Sequence, residues 1–137
     1  MTLIQTVTYY LNEARVTLVT ARKNFENGAF RTAVHEAYYA MFYAATAAFG
    51  TRELNYKRHA AVIANFNRVF IHELALFDKA LHADFEATFQ ARLNFDYQPQ
   101  AASQDDATRP LAAAERFVAG VAPYVEEWLK AARDKEP

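Results

Sequence analysis

Apolar residues recur every three or four positions along most of the chain, the period at which side chains fall on one face of a helix. Ile4, Val7, Leu11, Ala14, Leu18, Ala21 and Phe25 form one unbroken stripe. Asn27-Gly28 predicts its end, because glycine takes up the left-handed conformation of a helix C-cap without steric cost. The next stripe, Phe30, Val34, Ala37, Met41, Ala44 and Ala48, predicts a second helix closed by Gly50. That helix carries a second apolar face, Tyr39, Phe42, Tyr43, Thr46 and Phe49, which places it at the centre of a bundle or against another molecule.

The polar segment Thr51 to Arg58 reads as a connection. A third helix is predicted from His59 to His72, with Ile63, Phe66 and Phe70 inward, and a fourth from Leu76 to Phe95, with Leu81, Phe85, Thr88, Arg92 and Phe95 on one face. Gln98 to Ser103 is the main loop. Ser103-Gln-Asp-Asp106 has the layout of a capping box with Asp in place of Glu, opening a fifth helix striped by Leu111, Ala114, Val118, Val121, Val125 and Trp128. Pro110 and Pro123 predict bends in it, since each removes a backbone donor. The expected architecture is all-α, an up-and-down bundle of about five helices in a single domain over 1–132, with a charged flexible tail at 133–137.

Composition narrows the class. A chain of 137 residues with 53% hydrophobic and 15% aromatic side chains can bury its own core without a staple, and with no Cys it has neither disulfides nor thiolate metal sites. The N-terminus has no signal-peptide layout, and the longest uncharged run, Ala37 to Thr51, is 15 residues, too short to cross a bilayer. A cytoplasmic protein is expected. The net charge of −1 excludes recruitment of nucleic acid by bulk electrostatics, but the charge is unevenly spread. Residues 1–68 hold 8 basic and 4 acidic groups, and residues 69–106 hold 2 basic and 7 acidic groups. A local basic surface is therefore compatible with a neutral whole, as is simple scatter over solvated faces.

No glycine-rich phosphate loop, nucleophile elbow, HExxH or Glu-x-x-His occurs, so no cofactor or metal is called for; His82 and Glu86 share a face but read as an ordinary surface pair. Two segments could carry chemistry. Arg52, Lys57, Arg58 and His59 gather around Tyr56 before the third helix, where cations beside an aromatic can hold phosphates and stack a base; the same residues suit a solvated helix-entry loop. Arg92 continues an inward stripe, and a guanidinium is rarely buried without a partner. Asp96, one turn on, supplies one. The pair is either a structural brace or an Arg presented to a phosphate at a cleft, with the Tyr97 hydroxyl beside it.

Taken together, Gly28-Ala-Phe-Arg31-Thr-Ala-Val, Ala37-Tyr-Tyr-Ala-Met-Phe42, Lys57-Arg-His59, Arg92-x-x-x-Asp96-Tyr97 and Ala114-Glu-Arg-Phe-Val118 resemble the HEPN superfamily, in its branch of small stand-alone prokaryotic proteins. The resemblance spans roughly residues 10–130. It implies a helical bundle that forms a homodimer, is often paired with a minimal nucleotidyltransferase in toxin–antitoxin or defence systems, and in many members cleaves RNA without metal. The family signature for cleavage is an Arg and a following His with four to six residues between them. Here Arg92 is followed by Leu, Asn, Phe, Asp, Tyr and Gln, so that His is missing. Arg52 and His59 satisfy the spacing, but such a pair is expected about once by chance in this composition, and it lies ahead of the family's position. Asp96 would need a shifted pKa to move protons, and Tyr97 is a poor base near neutrality.

Three functions follow from these residues: a nucleotide- or RNA-associated or nucleotidyltransferase-partner module, a metal-independent endoribonuclease toxin using Arg92 with Asp96 and Tyr97, or a bundle that only dimerises. The candidate residues are Arg92, Asp96 and Tyr97 for catalysis, Arg52, Lys57, Arg58 and His59 for nucleotide or RNA binding, and Tyr39, Phe42, Tyr43 and Phe49 for a dimer interface.

Overall fold

The computed structural model describes residues 1–136. Five α-helices follow in order: α1 (Leu3–Glu26), α2 (Phe30–Gly50), α3 (His59–Phe66), α4 (Lys79–Tyr97) and α5 (Gln104–Asp134), with a π-helical stretch, Asn67–Glu73, continuing α3. No strand occurs among the described residues.

The local signals explain most boundaries. Thr2 caps α1 in a reciprocal box with Gln5, and Gly28, at φ +81°, ends the turn into α2. Ser103 and Asp106 form the predicted box at the start of α5. Gly50 behaves differently from the expectation. It is the last residue of α2 rather than its stop, and a Cβ there would lie 2.7 Å from Cγ2 of Val7, so glycine permits α1 and α2 to touch. The fourth helix begins later than predicted: Ala75 turns into the left-handed region, Leu76 N–H bonds the Phe70 carbonyl at 2.8 Å, and Asp78 caps α4 through Ala80 N–H. The prolines do not break α5, which is helical across both. The carbonyls they leave without a donor belong to Asp106 and Ala119, both exposed residues that water can reach.

The cross-contacts set the topology. Gly50 meets Val7 at one end of the α1–α2 hairpin and Phe25 meets Phe30 at the other. Phe95 of α4 and Ala107 of α5 cluster with Val34 near the start of α2, whereas Tyr124 of α5 meets Thr51 and Phe70 beyond its end. The long helices α1, α2, α4 and α5 thus alternate up and down, and short α3 runs beside α4, starting near Tyr38. The core joins Val7, Leu11, Met41, Phe66, Phe85, Phe117 and Val121. Arg15–Glu126 and Arg22–Glu115 ion pairs tie α1 to α5, and Arg116 grips both carboxylate oxygens of Asp84 to tie α5 to α4. Helix α5 continues through Asp134, and Arg133 donates to the Thr8 hydroxyl, so the segment assigned to the tail begins inside a helix; Pro137 lies outside the described residues. No helix of the described residues is long and apolar enough to cross a membrane.

Candidate functional site

Helix α4 turns Leu81, Phe85, Thr88 and Phe95 into the core, and Arg92 follows the same face inward, leaving only 16% of its side chain exposed. Desolvation of a guanidinium has to be offset by partners. Two come from α2: the Arg92 guanidinium carbon lies 5.2 Å from the ring centre of Tyr38 and 5.1 Å from that of Tyr39, both within cation–π range. The third is Asp96, whose Oδ2 lies 3.0 Å from Nε of Arg92. That contact is Coulombic rather than a directed hydrogen bond, since Nε–H is buried without an acceptor in bonding geometry. The other oxygen of Asp96 faces Nδ1 of His35 at 3.8 Å, and the His35 ring packs on Tyr39.

Tyr38 carries the site one step further. It is fully buried, so its hydroxyl must find a partner inside the protein. That partner is Nδ1 of His59, at 2.6 Å, the first residue of α3. With no other acceptor in reach among the described residues, the hydroxyl donates, Nδ1 accepts, and the imidazole keeps its proton on Nε2. Burial pushes the Tyr38 phenol well above its ordinary pKa, partly offset by the Arg92 charge, which keeps it the donor. His59 is pushed the other way, first by burial and then by Arg92, so its neutral form is favoured. Phe42 and Phe89 flank the imidazole, with Phe89 nearly parallel to it.

An Arg and a His that are 33 positions apart therefore share one tyrosine, and the Arg lies close enough to act on the His electrostatically. The arrangement offers an anion two kinds of donor, a fixed cation and an imidazole N–H. A model of the HEPN domain matches residues 7–124. This chain belongs to the HEPN family. A relative from Methanocaldococcus jannaschii, named "Putative toxin MJ0605", is 32% identical over 116 residues, covering 85% of this chain and 86% of its own. Another, a UPF0332 protein of Thermotoga maritima, is 26% identical over 126 residues, covering 91% of this chain and 95% of its own.

In this HEPN domain the other expected residues separate. Lys57 and Arg58 are exposed directly before His59, and neither enters an ion pair among the described residues. Arg52 does not join them at the site: it follows the far end of α2, about 18 Å of helix rise from Tyr38. Tyr56 packs edge-on against Phe49 and accepts a hydrogen bond from Arg68 at its hydroxyl. Tyr97 ends α4 with 81% of its surface exposed and takes no part in the Arg92 cluster, because five residues of helix turn it well away from position 92. On the outer face of α2, Tyr39, Phe42 and Tyr43 are half-buried and continue into Tyr10 and Tyr9 of α1. Phe49 is not on that face. It is 1% exposed, locked between Tyr56 and Phe70 in the core.

Sequence reasoning missed Tyr38 and His35. A buried-face tyrosine in Ala37-Tyr-Tyr-Ala-Met-Phe42 implies a hydroxyl in need of a partner, but nothing in the spacing names His59.

Proposed function

We propose that this protein is a toxin-type HEPN module that binds RNA or a nucleotide by a phosphate held between Arg92 and His59. One observation carries the reading: the Tyr38 hydroxyl contacts Nδ1 of His59 while Arg92 packs on the same tyrosine ring, so that with Nδ1 as acceptor the imidazole N–H lies on Nε2 and is left to donate. A phosphate oxygen takes hydrogen bonds from both without any change of protonation at neutral pH. Lys57 and Arg58 then extend the positive surface along a strand, which makes affinity fall with added salt.

Metal-independent RNA cleavage is the second reading, favoured by the meeting of Arg92 with a His in a family where that pair cleaves. With Nδ1 accepting from Tyr38, His59 serves as a donor and not as a base; to accept a proton at Nε2 it would have to reverse its hydrogen bond with Tyr38. Asp96 stays with Arg92 and His35 as the group that orients them. The proposal includes a second copy of the chain on the aromatic face Tyr39, Phe42 and Tyr43, beside His59, and a partner protein, for which a minimal nucleotidyltransferase in a cytoplasmic toxin–antitoxin pair is the family-based choice.

The test is binding of a fluorescent single-stranded RNA followed by anisotropy, with cleavage scored in EDTA on the same RNA. Binding that drops at least tenfold in Arg92→Ala supports the reading. Binding unaffected by Arg92→Ala rejects it, and cleavage by the wild type in EDTA moves the assignment to the second reading.

A further inference from the structure

Beyond His59, a groove of about 420 Å³ runs between α3 and α4. It exists because α3 places two alanines, Ala60 and Ala64, one turn apart on the side facing α4. Its apolar wall is Ile63 and Phe89. Phe89 also packs against His59 and Tyr38, so one side chain borders both the groove and the Arg92–His59 cluster, and Phe89 lies one helical turn, about 5 Å of rise, from Arg92.

The polar groups of the groove are two carboxamides and one imidazole–carboxylate pair. Asn67, at the start of the π-helical stretch, and Gln90 of α4 each bring a carboxamide with no hydrogen-bond partner among the described residues. Beyond them Glu86 lies against His82, its Oε2 3.3 Å from Nε2 of the imidazole, and its other oxygen takes no hydrogen bond there. An aromatic wall, two carboxamides and a carboxylate, with a cationic donor pair beyond one end, match a flat heterocycle attached to a phosphate. A carboxamide pairs in two-pronged fashion with the ring nitrogen and amino group of adenine, and a carboxylate accepts from an exocyclic amine. Uracil presents a carbonyl oxygen where such an amine would stand, and the carboxylate repels it.

We propose that the α3–α4 groove is a nucleobase subsite selective for an amino-bearing base, adenine first, whose phosphate is held by Arg92 and His59. The inference rests on the phosphate reading of that pair and adds the identity of the base and the residues that read it. Asn67 and Gln90 are the selecting residues, and Phe89 supplies the stacking face.

The experiment is calorimetric titration of the full chain with adenosine monophosphate, uridine monophosphate, adenosine and inorganic phosphate. The wild type is expected to bind adenosine monophosphate about tenfold more tightly than uridine monophosphate. The double variant Asn67→Ala with Gln90→Ala, both on the surface of folded helices, is expected to lose that preference while keeping its affinity for inorganic phosphate. Equal or reversed binding of the two nucleotides by the wild type, or a preference that survives the double variant, overturns the subsite. The phosphate reading fails separately, if Arg92→Ala leaves inorganic phosphate binding intact; the base subsite is then judged by adenosine alone, whose binding must still fall in the double variant.

Discussion

The phenol oxygen of Tyr38 lies 2.6 Å from Nδ1 of His59, while the Arg92 guanidinium sits against the face of the same tyrosine ring. One buried side chain of α2 thus sets both the tautomer of a histidine on α3 and the seat of an arginine on α4. Loss of the hydroxyl with retention of the ring separates these two roles.

Tyr38→Phe should keep the fold and the stacked Arg92, at a cost of about 1 kcal/mol for one buried hydrogen bond. RNA or nucleotide affinity should nevertheless fall several-fold, because the freed imidazole populates both tautomers. Nitrogen chemical shifts of His59 report the change: the wild type is expected to show the proton on Nε2, the variant a mixture. Unchanged shifts in the variant would refute the hydrogen-bond assignment.

The pH behaviour of His59 follows from its depressed pKa. A histidine titrating lower in the folded chain than its ordinary 6.5 binds fewer protons there than when unfolded, so its contribution to stability is intact above about pH 6.5 and declines as the pH falls toward the folded value. NMR titration should place His59 below 6.5. Arg92→Gln should raise it only in part, since burial is the larger cause and the arginine the smaller. A value above 6.5 in the wild type would contradict the packing described.

Arg92→Ala removes two cation–π contacts and strands Asp96, and should destabilise by about 2 kcal/mol, between an exposed pair and a fully buried one. Exchanging the charges, Arg92→Asp with Asp96→Arg, should restore much of the stability lost in either single change and none of the binding. The guanidinium would then stand about 6 Å along the helix from its place over Tyr38 and Tyr39. Thermal melts and RNA anisotropy on the three variants decide it; recovery of both properties would reduce the pair to a brace.

Tyr43→Asp should weaken self-association. Tyr43 is half-buried in a face shared with Tyr10 and Tyr39, and a carboxylate there would be left unpaired in an apolar contact. Light scattering is expected to give twice the 15.6 kDa chain mass for the wild type at micromolar concentration and a shift toward monomer for the variant. A wild type that stays monomeric removes the second copy from the proposal.

Much of this fold was legible from local pattern. A spacing of three and four residues states which face of a helix is buried, so α1, α2 and α5, the inward direction of Arg92 and the caps at Gly28 and Ser103–Asp106 are readable along the chain itself. These features depend on neighbours within one or two turns. The π-helical end of α3, the turn at Ala75 that delays α4, and the close approach that requires Gly50 depend instead on what packs against them.

The site belongs to the second kind. Periodicity says that Arg92 points inward and that Phe49 is apolar, but not which helix each one meets, and it leaves Tyr38 off both apolar faces of α2; Phe49 could equally have faced outward until Tyr56 and Phe70 closed over it. The sequence by itself determined a helical bundle and an arginine turned into it. Only the tertiary structure, by folding residues 51–58 back along α2, brought His59 to the hydroxyl of Tyr38 and so placed a histidine beside Arg92 where the linear motif has none. A burial pattern is a property of one helix, whereas a site made by three helices is determined by the packing that satisfies all of their buried polar groups at once.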